Sequence, residues 1–190
     1  MQITLFNDGW KFKKLPIEKK DETVETSGDG WLDVELPHDW LIYDTHNLYE
    51  NSVGWYVKKF SVTDVSSKRT IINFDGVYFN STVFVNGQKA GVWRNGYTAF
   101  SYDITDFLTT DENTIAVKVV HESPNSRWYS GAGIYRNVWL KTANLLFIAE
   151  NGVYINTDGK GGKVKIFTEL FNLPRYEIPL QARNDGRGTK

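Results

Sequence analysis

The sequence predicts an all-β protein of the sandwich or jelly-roll type. Apolar and polar residues alternate with a period of two along most of the chain, enriched in β-branched and aromatic side chains, and no window carries a long apolar stripe at the helical period. Turn signals built on Gly and Asn interrupt that alternation at short intervals, as they do in sandwiches. Hydrophobic residues make up 41% and aromatics 15% of the 190 residues, enough apolar surface for a packed core rather than a disordered chain.

The elements follow in order. Trp10 to Lys14 and Gly54 to Val62 ("GWYVKKFSV") read as strands, and "RTIINFDG" from Arg69 ends in a turn before "STVFVNGQKAGVW". Asn86-Gly87 lies between two alternating runs and predicts a tight hairpin, because both residue types accept positive φ. "SYDITDFL" from Ser101 predicts one helical turn capped by Asp103, with Ile104, Phe107 and Leu108 turned inward. "DEN" returns the chain into a strand from Thr114 to Glu122, a loop with Pro124, Asn125, Gly131 and Gly133 follows, and alternation resumes from Ile134, with a strand over Arg136 to Thr142. After Ala143 the pattern restarts with "FIAENGVYINTD", a Gly-rich turn over Gly159 to Gly162 and "KVKIFTELFN". A second β-domain is expected to begin there, with too few strands to bury a core of its own, ahead of a tail ("LPRYEIPLQARNDGRGTK") poor in apolar residues near its end. The expected division is 1–143 and 144–190.

Charge and composition exclude several partners. With 22 basic against 23 acidic residues the formal charge is -1, so there is no electrostatic footprint for nucleic acid or anionic lipid. The longest apolar run, "LLFIA", is far too short to span a bilayer, and the first 20 residues hold no apolar signal region, so the chain is expected to be soluble. Cysteine is absent, which removes disulfides and thiolate chemistry and leaves the cytoplasm and a bacterial periplasm equally open.

Candidate chemistry is sparse. Asp39, Asp44 and Glu50 share one irregular segment, "PHDWLIYDTHNLYEN", and two carboxylates flanking a glycosidic bond would suit hydrolysis; loop acids more often cap turns. His38, His46 and His121 do not have metal-site spacing, and His38 reads as a packed loop residue. No nucleophile elbow, phosphate loop or dinucleotide fingerprint occurs; Gly131-Ala132-Gly133 lacks the helix that would follow one, and the sequon at Asn80 falls in an expected strand. No metal and no cofactor are expected. Ten large aromatics, among them Trp40, Tyr43, Tyr49, Trp55, Tyr97, Trp128 and Tyr129, could fill a core or serve as sugar platforms. The cluster Arg127-Trp128-Tyr129-Ser130 stands apart, because a loop there presents a fork-like donor beside two rings; interface packing and ligand binding are both open to it.

Six ordered segments carry a resemblance: "FNDGWKF" (6–12), "ELPHDW" (35–40), "GWYVKKF" (54–60), "FDGVYFNSTVFVNGQKAGVWRNGYTAFSYDIT" (74–105), "NTIAVKV" (113–119) and "SRWYSGAGIYRNVWL" (126–140). In this order they resemble the N-terminal sugar-binding domain of family 2 glycoside hydrolases, the family of β-galactosidases, β-glucuronidases and β-mannosidases. The resemblance covers nearly all of residues 3 to 143. It implies a jelly-roll domain over 1–143 and the start of an immunoglobulin-like sandwich over 144–190. A catalytic (β/α)8 barrel carrying both catalytic glutamates would follow and perform a retaining double displacement.

No Asn in this chain is followed by Glu and no His opens a His-Tyr-Pro run, so the family's catalytic signatures are absent from it. The resemblance therefore implies a non-catalytic N-terminal part, β-galactosidase-like, inactive alone and acting as scaffold and pocket edge for its own barrel; homo-oligomerisation is left open. Asn51 matches an Asn that contacts sugar in β-galactosidases, and 125–130 matches a loop that reaches the pocket. Substrate contacts are therefore implied for Asn51, Arg127, Trp128 and Tyr129. Ser126-Arg127 stands where an acidic residue is found in better-known β-galactosidases, which argues against a bound sodium ion and strict galactose preference and suits an acidic sugar or another linkage. The rival readings are a free-standing carbohydrate-binding module, a structural interaction domain, and a β-glucuronidase or β-mannosidase parent.

Overall fold

A computed structural model describes residues 1–21, 23, 26–159 and 162–172. The chain is all-β and divides into two compact units, Met1–Ala143 and Asn144–Lys190. Among the described residues the first unit holds ten strands: β1 (Gln2–Leu5), β2 (Trp10–Pro16), β3 (Leu32–Val34), β4 (Ser52–Phe60), β5 (Lys68–Phe74), β6 (Ser81–Val85), β7 (Gln88–Trp93), β8 (Phe100–Asp103), β9 (Asn113–His121) and β10 (Val138–Asn144). They form a four-stranded sheet in the order β1-β10-β5-β8 and a six-stranded sheet in the order β3-β2-β4-β9-β6-β7.

The two sheets face each other across one core. Ile72, Phe74, Phe100 and Val138 from the smaller sheet meet Phe12, Tyr56, Val83, Val85, Ile115, Val117 and Val119 from the larger one. These residues alternate along their strands, which is why the period-two pattern was visible in the sequence. Strand β4 departs from simple alternation, because its outward residues Val53, Trp55 and Val57 are buried as well. They form a second apolar cluster with Ala116, covered by Leu15, Ile17, Trp31, Phe84 and Val120. The excursion between β2 and β3, which carries Ile17 and Trp31, thus lies over the outer face of the six-stranded sheet.

The expected hairpin is present. Asn86 and Gly87 take φ of 49° and 77° between β6 and β7, the conformation that matches the twist of the flanking strands. Asn86 also contributes a network: its Oδ1 accepts from Thr114 N at 2.8 Å, and its Nδ2 donates to Phe107 O and to Asn113 Oδ1, both at 2.8 Å. Asn113 is fully buried and bonds in turn to the backbone of Thr109 and Asp111. The "SYDITDFL" segment is shorter as a helix than expected. Phe100–Asp103 is strand β8, and the turn is a single 3-10 turn over Thr105–Phe107, with Asp103 accepting from Thr105 N at 3.0 Å. Pairing of Phe100–Asp103 with Ile71–Phe74 claims residues that local propensity assigned to the turn.

Sequence reading missed β1 and β3, which are short and whose side chains are mostly exposed, so they show no buried face to read. Strand β10 begins at Val138 rather than Arg136. In the second unit, β11 (Leu146–Thr157) and β12 (Val164–Asn172) pair as an antiparallel ribbon with an irregularity between Ile148 and Val153. One face presents Leu146, Ile148, Val153, Ile155, Ile166 and Leu170, and the other carries Phe147 stacked on Phe171 and Tyr154 against Phe167. Most of these side chains are exposed, as two strands alone require. Part of the Gly159–Gly162 turn and all of the tail from 173 lie outside the described residues.

All seven tryptophans fall within Met1–Ala143, so tryptophan fluorescence reports on that unit alone. Asn113→Ala strands several buried polar groups and is expected to cost about 2–4 kcal/mol. Urea unfolding followed by tryptophan emission checks this, and Asn86→Ala should approach the same value because the two amides share one network.

Candidate functional site

The register places four connections at one end of the first unit. Ser52 pairs with His121, Ser81 with both Val119 and Trp93, and Phe74 with Phe100. The segments 41–51, 75–80, 94–99 and 122–137 therefore emerge together, and the site is assembled from them.

Its base is a close crossing of two segments. His38 N donates to Ile134 O at 2.8 Å and Trp40 N to Ala132 O at 3.1 Å, while Tyr78 and Gly133 exchange both backbone hydrogen bonds on the other side. Residues 131–134 are thus gripped between 38–40 and Tyr78, ahead of the regular strand that begins at Val138. The glycines are required by this fit. A Cβ on Gly133, at φ 133°, would lie 2.4 Å from His38 O, and one on Gly131, at φ 74°, would lie 2.7 Å from Asp39 Oδ2.

Asp39 fastens the crossing. Its Oδ1 accepts from Leu41 N and Ala132 N, both at 3.0 Å, and its Oδ2 accepts from the Tyr129 hydroxyl at 2.5 Å. Burial, followed by the hydrogen bond and charge of Asp39, pushes the Tyr129 hydroxyl well above the usual phenol range, so it stays protonated and donates. The three loop acids have separate tasks. Asp44 caps its own turn through His46 N at 3.1 Å, and Glu50 pairs with Lys14 at 2.8 Å, so neither joins Asp39 as a catalytic pair. His38 is packed, as expected: it is buried, with Nδ1 2.7 Å from the Tyr56 hydroxyl. Burial lowers its pKa against the opposing charge of Asp39.

The rim follows from this base. Asn125 Oδ1 accepts from the hydroxyls of Tyr78 at 3.1 Å and Ser130 at 3.3 Å, and its Nδ2 donates to Glu122 O at 2.8 Å and lies 3.3 Å from His121 Nε2. His121 is anchored by Glu50 O, 2.7 Å from its Nδ1. Trp128 is 60% exposed and donates from Nε1 to the Tyr97 hydroxyl at 3.3 Å, and Tyr97 meets Tyr78 edge to face. Arg127 is exposed and has no hydrogen bond or ion pair among the described residues. Asn51 is exposed too, and its Oδ1 accepts from Ser123 N, pinning the start of the same loop.

The four residues singled out from sequence therefore lie on or against one loop. Tyr97 was readable only as one of ten aromatics, and Tyr78 and His121 gave no signal, because their roles arise from contacts across 47 and 71 residues of chain. Trp40, Trp55 and Tyr56 are core residues. Among the described residues no group of three His, Cys, Asp or Glu could hold a metal ion. Chemically the site offers exposed rings, a free guanidinium, amides and hydroxyls, a set suited to holding a polyhydroxylated ligand.

Comparison with known proteins gives the family. Residues 14–144 match the family described as glycosyl hydrolases family 2, sugar binding domain. The chain is 40% identical over 183 residues to the β-galactosidase BoGH2A of Bacteroides ovatus, a match that takes in 88% of this chain and 21% of that protein. A crystal structure of a β-glycosidase from Bacteroides vulgatus superposes with a TM-score of 0.79 at 31% identity, covering 93% of this chain and 25% of that one. The structure of a Bacteroides uniformis β-glucuronidase gives 0.71 at 30% identity, covering 83% and 20%. The chain spans about one-fifth of the length of the curated relatives it matches.

Two outcomes are expected from the base of the site. Asp39→Ala removes the acceptor of three donors and should cost about 2–4 kcal/mol, with faster hydrogen exchange at the Ala132 amide as the local readout. His38 has a folded pKa below its unfolded value near 6.5, so the stability its neutral ring contributes is complete above about pH 6.5 and is lost as pH falls toward the folded value. Unfolding free energy measured against pH should decline over that window in the wild type and decline less in His38→Gln.

Proposed function

The chain belongs to glycosyl hydrolase family 2 through its sugar binding domain, and from that premise we propose that it is the N-terminal, non-catalytic part of a β-galactosidase-like glycosidase. In this reading Met1–Ala143 is the jelly-roll sugar-binding domain and the β11–β12 ribbon opens an immunoglobulin-like sandwich. The retaining hydrolysis belongs to a barrel outside this chain.

One observation carries the reading: the loop 125–133, tied down by Asp39 and two sterically required glycines, holds Arg127 and Trp128 exposed at one end of the sandwich. Such a loop is rigid at its base and presents its tip, which is the form needed to close one side of a neighbouring pocket. Asn51 would give its amide to a sugar hydroxyl, Trp128 an apolar face to the C–H side of a pyranose, and Arg127 a fork to an oxygen pair. Tyr129 is largely committed to Asp39, so its contribution would be to place its neighbours.

Replacing Arg127 and Trp128 by Ala in the full-length glycosidase separates pocket edge from structural interface. The double variant is expected to lose roughly tenfold to hundredfold in kcat/KM, with oligomeric state and melting temperature unchanged. Loosened assembly at unchanged turnover per assembled enzyme would overturn the reading in favour of an interface role.

A further inference from the structure

The outer face of the six-stranded sheet carries a recess of about 410 Å3 that shares none of the rim residues described above. Its floor follows from strand register. Thr82 in β6 sits opposite Val92 of β7 on one side and Lys118 of β9 on the other, and Val120 N donates to Asn80 O in the adjacent row. Arg94, just after β7, and the segment Lys20-Asp21 complete the lining.

The polar groups of this recess are mostly donors with capacity to spare. Among the described residues Lys118 Nζ gives one hydrogen bond, to Lys20 O at 2.8 Å, and Lys20 Nζ gives one to Glu122 at 2.9 Å. Each ammonium has three N–H groups to offer. Arg94 is exposed and has no hydrogen bond or ion pair among the described residues, and no side-chain bond engages the Thr82 hydroxyl or the Asn80 amide there. Among the described residues three cations, Lys20, Arg94 and Lys118, line the recess with one acid, Asp21, and Glu122 is already paired with Lys20 at the edge. Beside them Val92, 46% exposed, and Val120 form a small aliphatic floor.

We propose that this recess binds an acidic carbohydrate unit, a sugar bearing a carboxylate or sulfate group, at a site separate from the loop 125–133. Arg94 and Lys118 would take the anionic group, Thr82 and Asn80 the neighbouring hydroxyls, and the valines the C–H face of the ring. A bare inorganic anion would leave the apolar floor unused. A neutral sugar would leave Arg94 and Lys118 without an ionic partner among the described residues.

The test is isothermal titration of the 190-residue chain with methyl β-glucuronide, glucose 6-sulfate, methyl β-glucoside and inorganic sulfate, repeated on Arg94→Gln and Lys118→Gln. One or both acidic sugars should bind, roughly tenfold or more tighter than the neutral glucoside, with affinity that falls as salt is raised. Each variant should weaken that binding by roughly tenfold while the far-ultraviolet circular dichroism spectrum stays unchanged. Which acidic sugar binds identifies the group as carboxylate or sulfate. Absence of binding overturns the proposal, as does inorganic sulfate binding as well as the sugars. Binding that survives both variants and is lost in Arg127→Ala would also overturn it and place the ligand at the rim. Because no residue lining the recess belongs to the rim, either can fail without the other.

Discussion

The crossing of 131–134 between 38–40 and Tyr78 is the constraint on which the rest of this end of the protein depends. It is held by backbone hydrogen bonds on both sides and closed by the carboxylate of Asp39. Space there is so short that two positions admit only glycine. The chain enters its next regular strand only at Val138, and the nine residues between His121 and the crossing, 122–130, form a loop. The rim side chains of that loop, Asn125, Arg127, Trp128 and Ser130, are presented above the crossing.

The two sheets contribute differently to this arrangement. The six-stranded sheet is covered on both faces near β4, by the main core inside and by the Ile17 and Trp31 excursion outside. Strand β4, buried on both faces, carries the connection 41–51, and His121 at the end of β9, paired with Ser52 and bonded to Glu50 O, ties that connection to the loop opposite. Farther along the same sheet, toward β6 and β7, the outer covering gives way to the polar recess around Thr82. One sheet thus changes from a buried wall to an accessible surface within a few strands.

Much of the fold was legible in the sequence, and what was legible had a buried side. Strands β2, β4, β5, β6, β7 and β9 showed as alternating runs, and Asn86-Gly87 marked its hairpin because positive φ at two successive residues leaves few alternatives. Strands β1 and β3 did not show, since their side chains are mostly exposed and their pairing is decided by residues far along the chain, such as Lys141 opposite Ile3. In the site the loop stood out by composition, yet its organisation did not. Asp39 looked like an ordinary loop acid, and nothing within the sequence around it announces a hydrogen bond to Tyr129, 90 residues later. His121 and Tyr78 were invisible for the same reason.

The contrast within the loop has a consequence for how such a domain diverges. At its base, any side chain at Gly131 or Gly133 collides with neighbouring atoms, and Asp39 serves three donors at once, so substitution at these positions carries a folding cost. At its tip Arg127 touches no described partner and Trp128 gives up one 3.3 Å hydrogen bond, so mutations there are nearly free of folding cost. Lineages that inherit this scaffold can therefore explore new side chains at 127 and 128 by single substitutions, and change what the loop meets without re-evolving the loop.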